Sequence, residues 1–257
     1  MELIIVAVVA FIASGLTFFS GFGLGTLLLP AFAWFFPVEQ AVALTGVVHF
    51  LNGLFKLGLV GRHADRPVLV RFGVPAVAAA LLGAWLLVQL AQLPPLMTHT
   101  WLGRPAAITP VKLIVGSLLL VFAVLEASKR FRAWTLPPRW LPLGGALSGF
   151  FGGLSGMQGA LRSAFLLRAG LSKQAFIGTG VVLAVLIDVS RLSVYAGDLA
   201  ERLDRSMLPW LSVSVGAAFA GAWLGNRFLQ KLTLDGLQRI VGGLLLVTGL
   251  ALMLGLI

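Results

Sequence analysis

Long apolar runs, divided by short polar or glycine- and proline-bearing gaps, organise this chain from end to end. They fall at about 3–19, 22–36, 40–60, 68–93 and 107–126, then at about 141–153, 157–167, 174–197, 207–229 and 236–257. An apolar run of about 20 residues is the length at which a helix crosses the ~30 Å hydrocarbon core of a bilayer. No run alternates apolar and polar residues as a strand does, so the pattern predicts membrane helices and excludes a transmembrane barrel.

The opening segment of each half is interrupted. Ser20-Gly21-Phe22-Gly23-Leu24-Gly25 breaks the first, and Gly152-Gly153-Leu154-Ser155-Gly156 breaks the second. The expected break glycines are Gly21, Gly23, Gly25, Gly153 and Gly156, because glycine lets the backbone kink or reverse. The pieces of the second pair are too short to cross the core as helices. Two half-length helices meeting at mid-membrane, or one long kinked helix, would satisfy the pattern.

The halves are copies. Thr45-Gly46-Val47-Val48 recurs as Thr179-Gly180-Val181-Val182, 134 positions later, and the same offset carries Gln40-Ala41 onto Gln174-Ala175 and Ser14-Gly15 onto Ser148-Gly149. An offset of 138 carries Gly83-Ala84-Trp85-Leu86 onto Gly221-Ala222-Trp223-Leu224. Duplicated apolar halves are the usual architecture of secondary transporters, with the substrate between the repeats.

Composition closes off other classes. Apolar residues make up 59% of the chain, charged residues 11%, and the mean hydropathy is +1.00, too apolar to cover a water-facing surface. Cysteine is absent, and three histidines without a His-Glu pair at helical spacing predict no metal site and no cofactor. The chain opens Met1-Glu2 and turns apolar without a basic n-region or cleavage site, so it reads as a retained first helix. A net charge of +10 suits cytoplasmic loops rather than nucleic acid.

Those basic residues choose between topologies. If each broken segment is a single crossing, the best orientation leaves Arg168, Lys173, Arg227, Lys231 and Arg239 outside. If each returns to its starting side, those residues join Arg62, Arg66, Arg71, Lys129, Arg130, Arg132 and Arg139 in the cytoplasm. The second arrangement obeys the positive-inside rule and inverts one half relative to the other. The expected fold is an all-α polytopic membrane protein of two inverted-topology repeats, each a broken or re-entrant helical hairpin followed by three transmembrane helices. The repeats are 1–126 and 141–257, joined by a cytoplasmic linker at 127–140, with both termini outside.

Polar residues within these runs point to a site. Thr45, His49, Asn52 and Lys56, at intervals of four, three and four, stack on one helix face. Ionisable groups there should line a cavity rather than face lipid. The matching helix carries Thr179, Asp188, Ser190 and Arg191; Asp188 and Arg191, three apart, form a neutral pair or act on substrate directly. Ser155, Gln158, Arg162 and Ser163 follow the second break, where a half-helix would aim free N–H groups at mid-membrane. Amides, guanidinium and ammonium groups together favour a small oxyanion. The candidate binding residues are Thr45, Asn52, Lys56, Ser155, Gln158, Arg162 and Arg191, and the candidate proton carriers are His49 and Asp188.

The run Ser14-Gly15 through Gly21-Phe22-Gly23-Leu24-Gly25-Thr26 to Pro30, with Ala41 to Lys56 after it, resembles the glycine-rich signature of the TauE/SafE anion-exporter family. Gly149-Phe150-Phe151-Gly152-Gly153-Leu154-Ser155-Gly156-Met157-Gln158-Gly159 resembles that family's repeated segment, although it has no proline matching Pro30. The resemblance implies a secondary exporter of sulfite or a small organosulfonate, such as sulfoacetate, in the bacterial inner membrane. The implied partners are a small anionic substrate and membrane lipid, with a homo-oligomer compatible with the chain. Two other classes share these residues: an anion channel, and an intramembrane enzyme in which Ser155 would be the nucleophile.

Overall fold

The computed structural model describes residues 1–16, 23–128, 136–202, 205–228 and 235–257. Within them the first half forms α1 (Glu2–Leu16), α2 (Leu24–Ala33), α3 (Val38–Val60), α4 (Arg66–Ala91) and α5 (Pro110–Ala127). The second forms α6 (Leu141–Ser155), α7 (Gly159–Leu166), α8 (Lys173–Arg202), α9 (Leu208–Phe228) and α10 (Asp235–Met253). Local chemistry sets several starts. The Asp65 carboxylate accepts from the Val68 N–H ahead of α4, and the Thr109 hydroxyl accepts from the Lys112 N–H ahead of α5, each with proline in the first turn.

Among the described residues, four helical stretches are long and apolar enough to cross a membrane: Val38–His63, Arg66–Ala91, Lys173–Gly197 and Leu208–Gly225. Large apolar side chains such as Val70, Val74, Leu82 and Trp85 of α4 are exposed, while Phe72, Ala76, Ala80 and Ala84 of the same helix are buried. A helix apolar on both faces is what a lipid-facing bundle requires. The two short helices behave differently. Every residue of α2 is buried, as is the stretch Leu161–Leu166 of α7. At ten residues α2 rises about 15 Å, half the depth of a hydrocarbon core.

Helices α6 and α7 are separate pieces, not one kinked helix. The chain turns at Gly156, which caps α6 with φ +79, a left-handed conformation that suits glycine. Gly23 precedes α2 with φ +115. Two of the glycines expected to break these segments do not: Gly153 lies inside α6 and Gly25 inside α2, and Gly21 lies outside the described residues. The reason is packing. A Cβ at Gly145, Gly149 or Gly153 would sit 2.1, 2.0 and 2.1 Å from the carbonyl oxygens of Phe72, Ala76 and Ala80 of α4. The stripe therefore serves close helix contact, and Gly153 must remain helical to take part in it.

The matching contact joins α1 and α9, where Gly221 meets the Phe11 carbonyl and Gly225 meets that of Gly15. Helices α3 and α8 pack on each other, as do α5 and α10, so the most extensive helix contacts join one half to the other, while α2 packs mainly on α3 and α1 of its own half. Of the expected linker 127–140, residues 129–135 lie outside the described residues.

One element departs from the all-helical expectation. Met97–Trp101 (β1) and Arg104–Ile108 (β2) form an antiparallel hairpin between α4 and α5, with Met97 opposite Ile108. Its turn residues Leu102 and Gly103 both have positive φ, as tight hairpins favour. Neither face of β1 is buried, so no alternation marked it in the sequence.

Candidate functional site

Helices α3 and α8 cross antiparallel, bringing Gly46 against Arg191, His49 against Asp188 and Gly53 against Val185. His49 and Asp188 lie near the middle of the long spans Val38–His63 and Lys173–Gly197. Asp188 is fully buried and organises the surroundings. Its Oδ2 lies 2.5 Å from His49 Nδ1, and its Oδ1 accepts from Arg191 Nε at 2.9 Å and from Gln158 Nε2 at 3.1 Å. Sequence spacing anticipated the Arg191 contact. It could not anticipate His49, which lies 139 residues away on the other half.

The α6–α7 turn delivers the next members. Ser148 donates to the Gln158 carbonyl at 2.9 Å, tying the start of α7 back to α6. This leaves the Gln158 amide between two charges: its nitrogen faces Asp188, and its oxygen accepts from Arg162 Nη1 at 2.8 Å. On the other side of Arg162, a Cβ at Gly180 would lie 3.8 Å from its Nε. The repeated Thr-Gly-Val-Val motifs thus place their glycines against two different guanidinium groups, Gly46 at Arg191 and Gly180 at Arg162.

The remaining candidates divide. Asn52 is buried and accepts from the Ser14 hydroxyl of α1 at 3.1 Å, a partner not picked out as a site residue from sequence. Lys56 is also buried, and its charge and that of Arg162 repel. Ser155 gives its proton to the Phe151 carbonyl one turn back rather than to a base, so it is not arranged as an activated nucleophile. Thr45 and Thr179 occupy matched positions in the repeats but differ in environment. The Thr179 hydroxyl accepts from the Asp65 N–H at 2.8 Å, whereas Thr45 Oγ1 is buried and has no hydrogen-bond partner among the described residues.

Arg191 is buried completely, yet its Nη1 and Nη2 also lack hydrogen bonds among the described residues. Nη2 comes within 2.8 Å of Asp188 Oδ1, an ion-pair distance, so one side of Nη2 faces the carboxylate while Nη1 lies on the far side of the guanidinium. Tyr195, the chain's single tyrosine, lies close enough to influence the guanidinium, but donates its proton to the Gly153 carbonyl.

The charge balance is uneven. Among the described residues, the buried side chains of the bundle that carry charge are Lys56, Arg162 and Arg191 against the single carboxylate of Asp188, with His49 at the edge, 15% exposed. Burying an excess of cations is costly, and a negative ligand relieves it. Among the described residues no group of three His, Asp or Glu side chains could hold a metal ion.

The family model described as sulfite exporter TauE/SafE matches residues 6–252, nearly the whole chain. No curated protein matches it.

Proposed function

The chain belongs to the TauE/SafE sulfite exporter family, a family of membrane transporters, and on that premise we propose that it is a secondary carrier for a small sulfur oxyanion. Sulfite or an organosulfonate such as sulfoacetate would leave the cytoplasm through the polar cluster between the halves. The observation that carries this reading is the burial, among the described residues, of Lys56, Arg162 and Arg191 with one carboxylate, Asp188, where α3, α7 and α8 come together. Guanidinium forks match the paired oxygens of a sulfonate or sulfite, and the helix starts at α2 and α7 add amide donors.

Two further features belong to the proposal. The halves would be inverted repeats, 1–126 and 141–257, in the inner membrane, with outward-facing termini and a cytoplasmic linker. The antiparallel crossings of α3 with α8 and of α5 with α10 support this, because a two-fold axis relating antiparallel spanning helices lies in the membrane plane. Transport would be carrier-like rather than channel-like. Arg191 and Asp188 are 0% exposed and Arg162 is 2% exposed, so the cluster is closed to solvent, as in an occluded state. Outward movement of an anion gains about 2.3 kcal/mol per charge per 100 mV of inside-negative potential, so export needs no obligatory coupling.

The test is flux of radiolabelled sulfite and sulfoacetate from proteoliposomes under an imposed potential. Saturable efflux that is lost in Arg162→Ala supports the reading; absence of efflux for every sulfur oxyanion tried would remove it.

A further inference from the structure

Small anions cannot touch every polar residue in this cluster at once. Thr45 and Lys56 lie eleven residues apart on α3, about 16 Å along the helix axis, with the His49–Asp188 contact between them. We infer that the oxyanion has a dedicated seat on the Thr45 side of Asp188, formed by the Nη edge of Arg191, the Thr45 hydroxyl and the first-turn amides of α2. Lys56 stands outside it. This inference rests on the transport reading above and says where in the cluster the substrate is held.

The unspent hydrogen-bonding groups select the location. Thr45 Oγ1, Arg191 Nη1 and Arg191 Nη2 are the three atoms at this crossing that are buried without hydrogen bonds among the described residues. All belong to residues with no solvent exposure. Buried donors of this kind are seldom left unmade, and an oxyanion accepts from all of them together. Asp188 Oδ1 sits against Nε and Nη2 of Arg191, which leaves Nη1 and the outer hydrogen of Nη2 facing away from it; Asp188 acts as a positioning residue. Two oxygens of a sulfite or sulfonate suit that fork, and a third suits the threonine hydroxyl.

Backbone elements close on the same spot. A Cβ at Gly46, next to Thr45, would lie 3.3 Å from Arg191 Cζ, and one at Gly156 would lie 2.8 Å from Nη1. Gly25, in the first turn of α2, faces the Gly156 carbonyl at 3.1 Å and the His49 ring at 3.7 Å, measured from its absent Cβ. The start of α2 therefore abuts the turn that touches Arg191. Its first intrahelical bond runs from the Leu27 N–H to the Gly23 carbonyl, leaving the preceding amides for another acceptor.

The duplication supplies an internal control. Thr179 matches Thr45 in register and chemistry, but its hydroxyl already serves the Asp65 N–H. The experiment is a sulfite titration of the purified full-length chain in detergent, read by the shift in melting temperature, with sulfate and methanesulfonate as comparison anions. Thr45→Val and Arg191→Lys should each weaken sulfite binding by about tenfold or more, as loss of a hydrogen bond to a charged partner does. Thr45→Ser should retain affinity. Thr179→Val should lower the melting temperature without ligand and leave affinity unchanged. Lys56→Ala should weaken binding less than Thr45→Val or Arg191→Lys does, because it removes no hydrogen bond to the anion.

The seat is overturned if Thr45→Val binds as tightly as wild type, if Thr45→Val and Thr179→Val weaken binding alike, or if the wild type binds none of the three anions. Should Thr45→Val fail to fold, Thr45→Ala carries the same expectation. The two readings fail separately. Unchanged affinity in Thr45→Val with normal wild-type efflux removes the seat and leaves export standing. Tight binding that depends on Thr45, without efflux, removes export and leaves the seat.

Discussion

Gly116 of α5 and Gly249 of α10 meet reciprocally: a Cβ on Gly116 would lie 2.8 Å from the Gly249 carbonyl oxygen, and one on Gly249 would lie 2.9 Å from the Gly116 oxygen. The exchange extends outward, with Leu252 Cβ 3.3 Å from the first position and Leu119 Cβ 3.1 Å from the second. Leu252 and Leu119 are 133 positions apart, as are Gly249 and Gly116, close to the 134 of the sequence repeat. Such self-complementarity marks a local two-fold relation between the halves. Gly116→Leu or Gly249→Leu should force α5 and α10 apart and cost roughly 1–3 kcal/mol of stability, the range for overpacking a filled contact. Because both act on one contact, the double variant should lose less than the sum, as measured by thermal melting in detergent.

Lys56→Ala and Arg162→Ala each remove a buried cation from the cluster. Sulfite efflux from proteoliposomes should fall by at least about tenfold in each, a change that needs only ~1.4 kcal/mol. For Lys56→Ala the fall should appear in the maximal rate, with the half-saturating concentration little changed, since Lys56 lies away from the proposed seat. Flux at the wild-type rate in both variants would take these residues out of the pathway.

Asp188→Asn removes the ion-pair partner of Arg191 and the one buried carboxylate among the described residues of the cluster. Breaking a buried ion pair costs about 3–5 kcal/mol, so the variant should melt well below wild type without ligand. Saturating sulfite should raise its melting temperature more than it raises that of the wild type, because the anion then also replaces the missing negative charge. Equal shifts in both proteins would contradict this.

His49 contacts the same carboxylate from the opposite half. His49→Ala removes that contact and the ring that faces the first turn of α2, so the variant should melt below wild type and its sulfite efflux should fall at least about threefold. The check is thermal melting alongside efflux at fixed sulfite, pH and potential; wild-type values of both would show that the contact serves neither.

Gly156 turns the chain with φ +79 beside the Arg191 guanidinium. Gly156→Ala should cost about 1–2 kcal/mol from left-handed backbone strain alone, and its methyl would press on Arg191 Nη1. Gly170→Ala, at φ +73 with open space around its Cβ position, bears comparable strain without that contact. Both should melt lower, and only Gly156→Ala should also lose sulfite affinity, as thermal titration would reveal.

Helix positions and the polar stripe were readable because each is written in local spacing. Thr45, His49, Asn52 and Lys56 share a face at any 3.6-residue period, and Asp188 with Arg191 is a same-helix neighbour pair. The hairpin at Met97–Ile108 escaped notice, since an exposed two-stranded ribbon carries no apolar period. Gly153 was misplaced as a break because a glycine that permits a turn and one that permits helix contact are the same letter.

The scaffold was duplicated, but its chemistry was not. At the 134 offset Arg162 corresponds to Leu28, Asp188 to Leu54 and His49 to Leu183, so the charged cluster belongs to neither repeat alone. The sequence by itself determined that this is an apolar, twice-repeated helical chain with cations in its membrane runs, because bilayer thickness and helical period act within a segment. Tertiary structure decided that His49 meets Asp188, that Gln158 stands between two charges, and that Thr45, among the described residues, has no hydrogen-bond partner while Thr179 has one. Those outcomes depend on which glycine-lined helix faces come together across more than a hundred residues, and local periodicity carries no record of that.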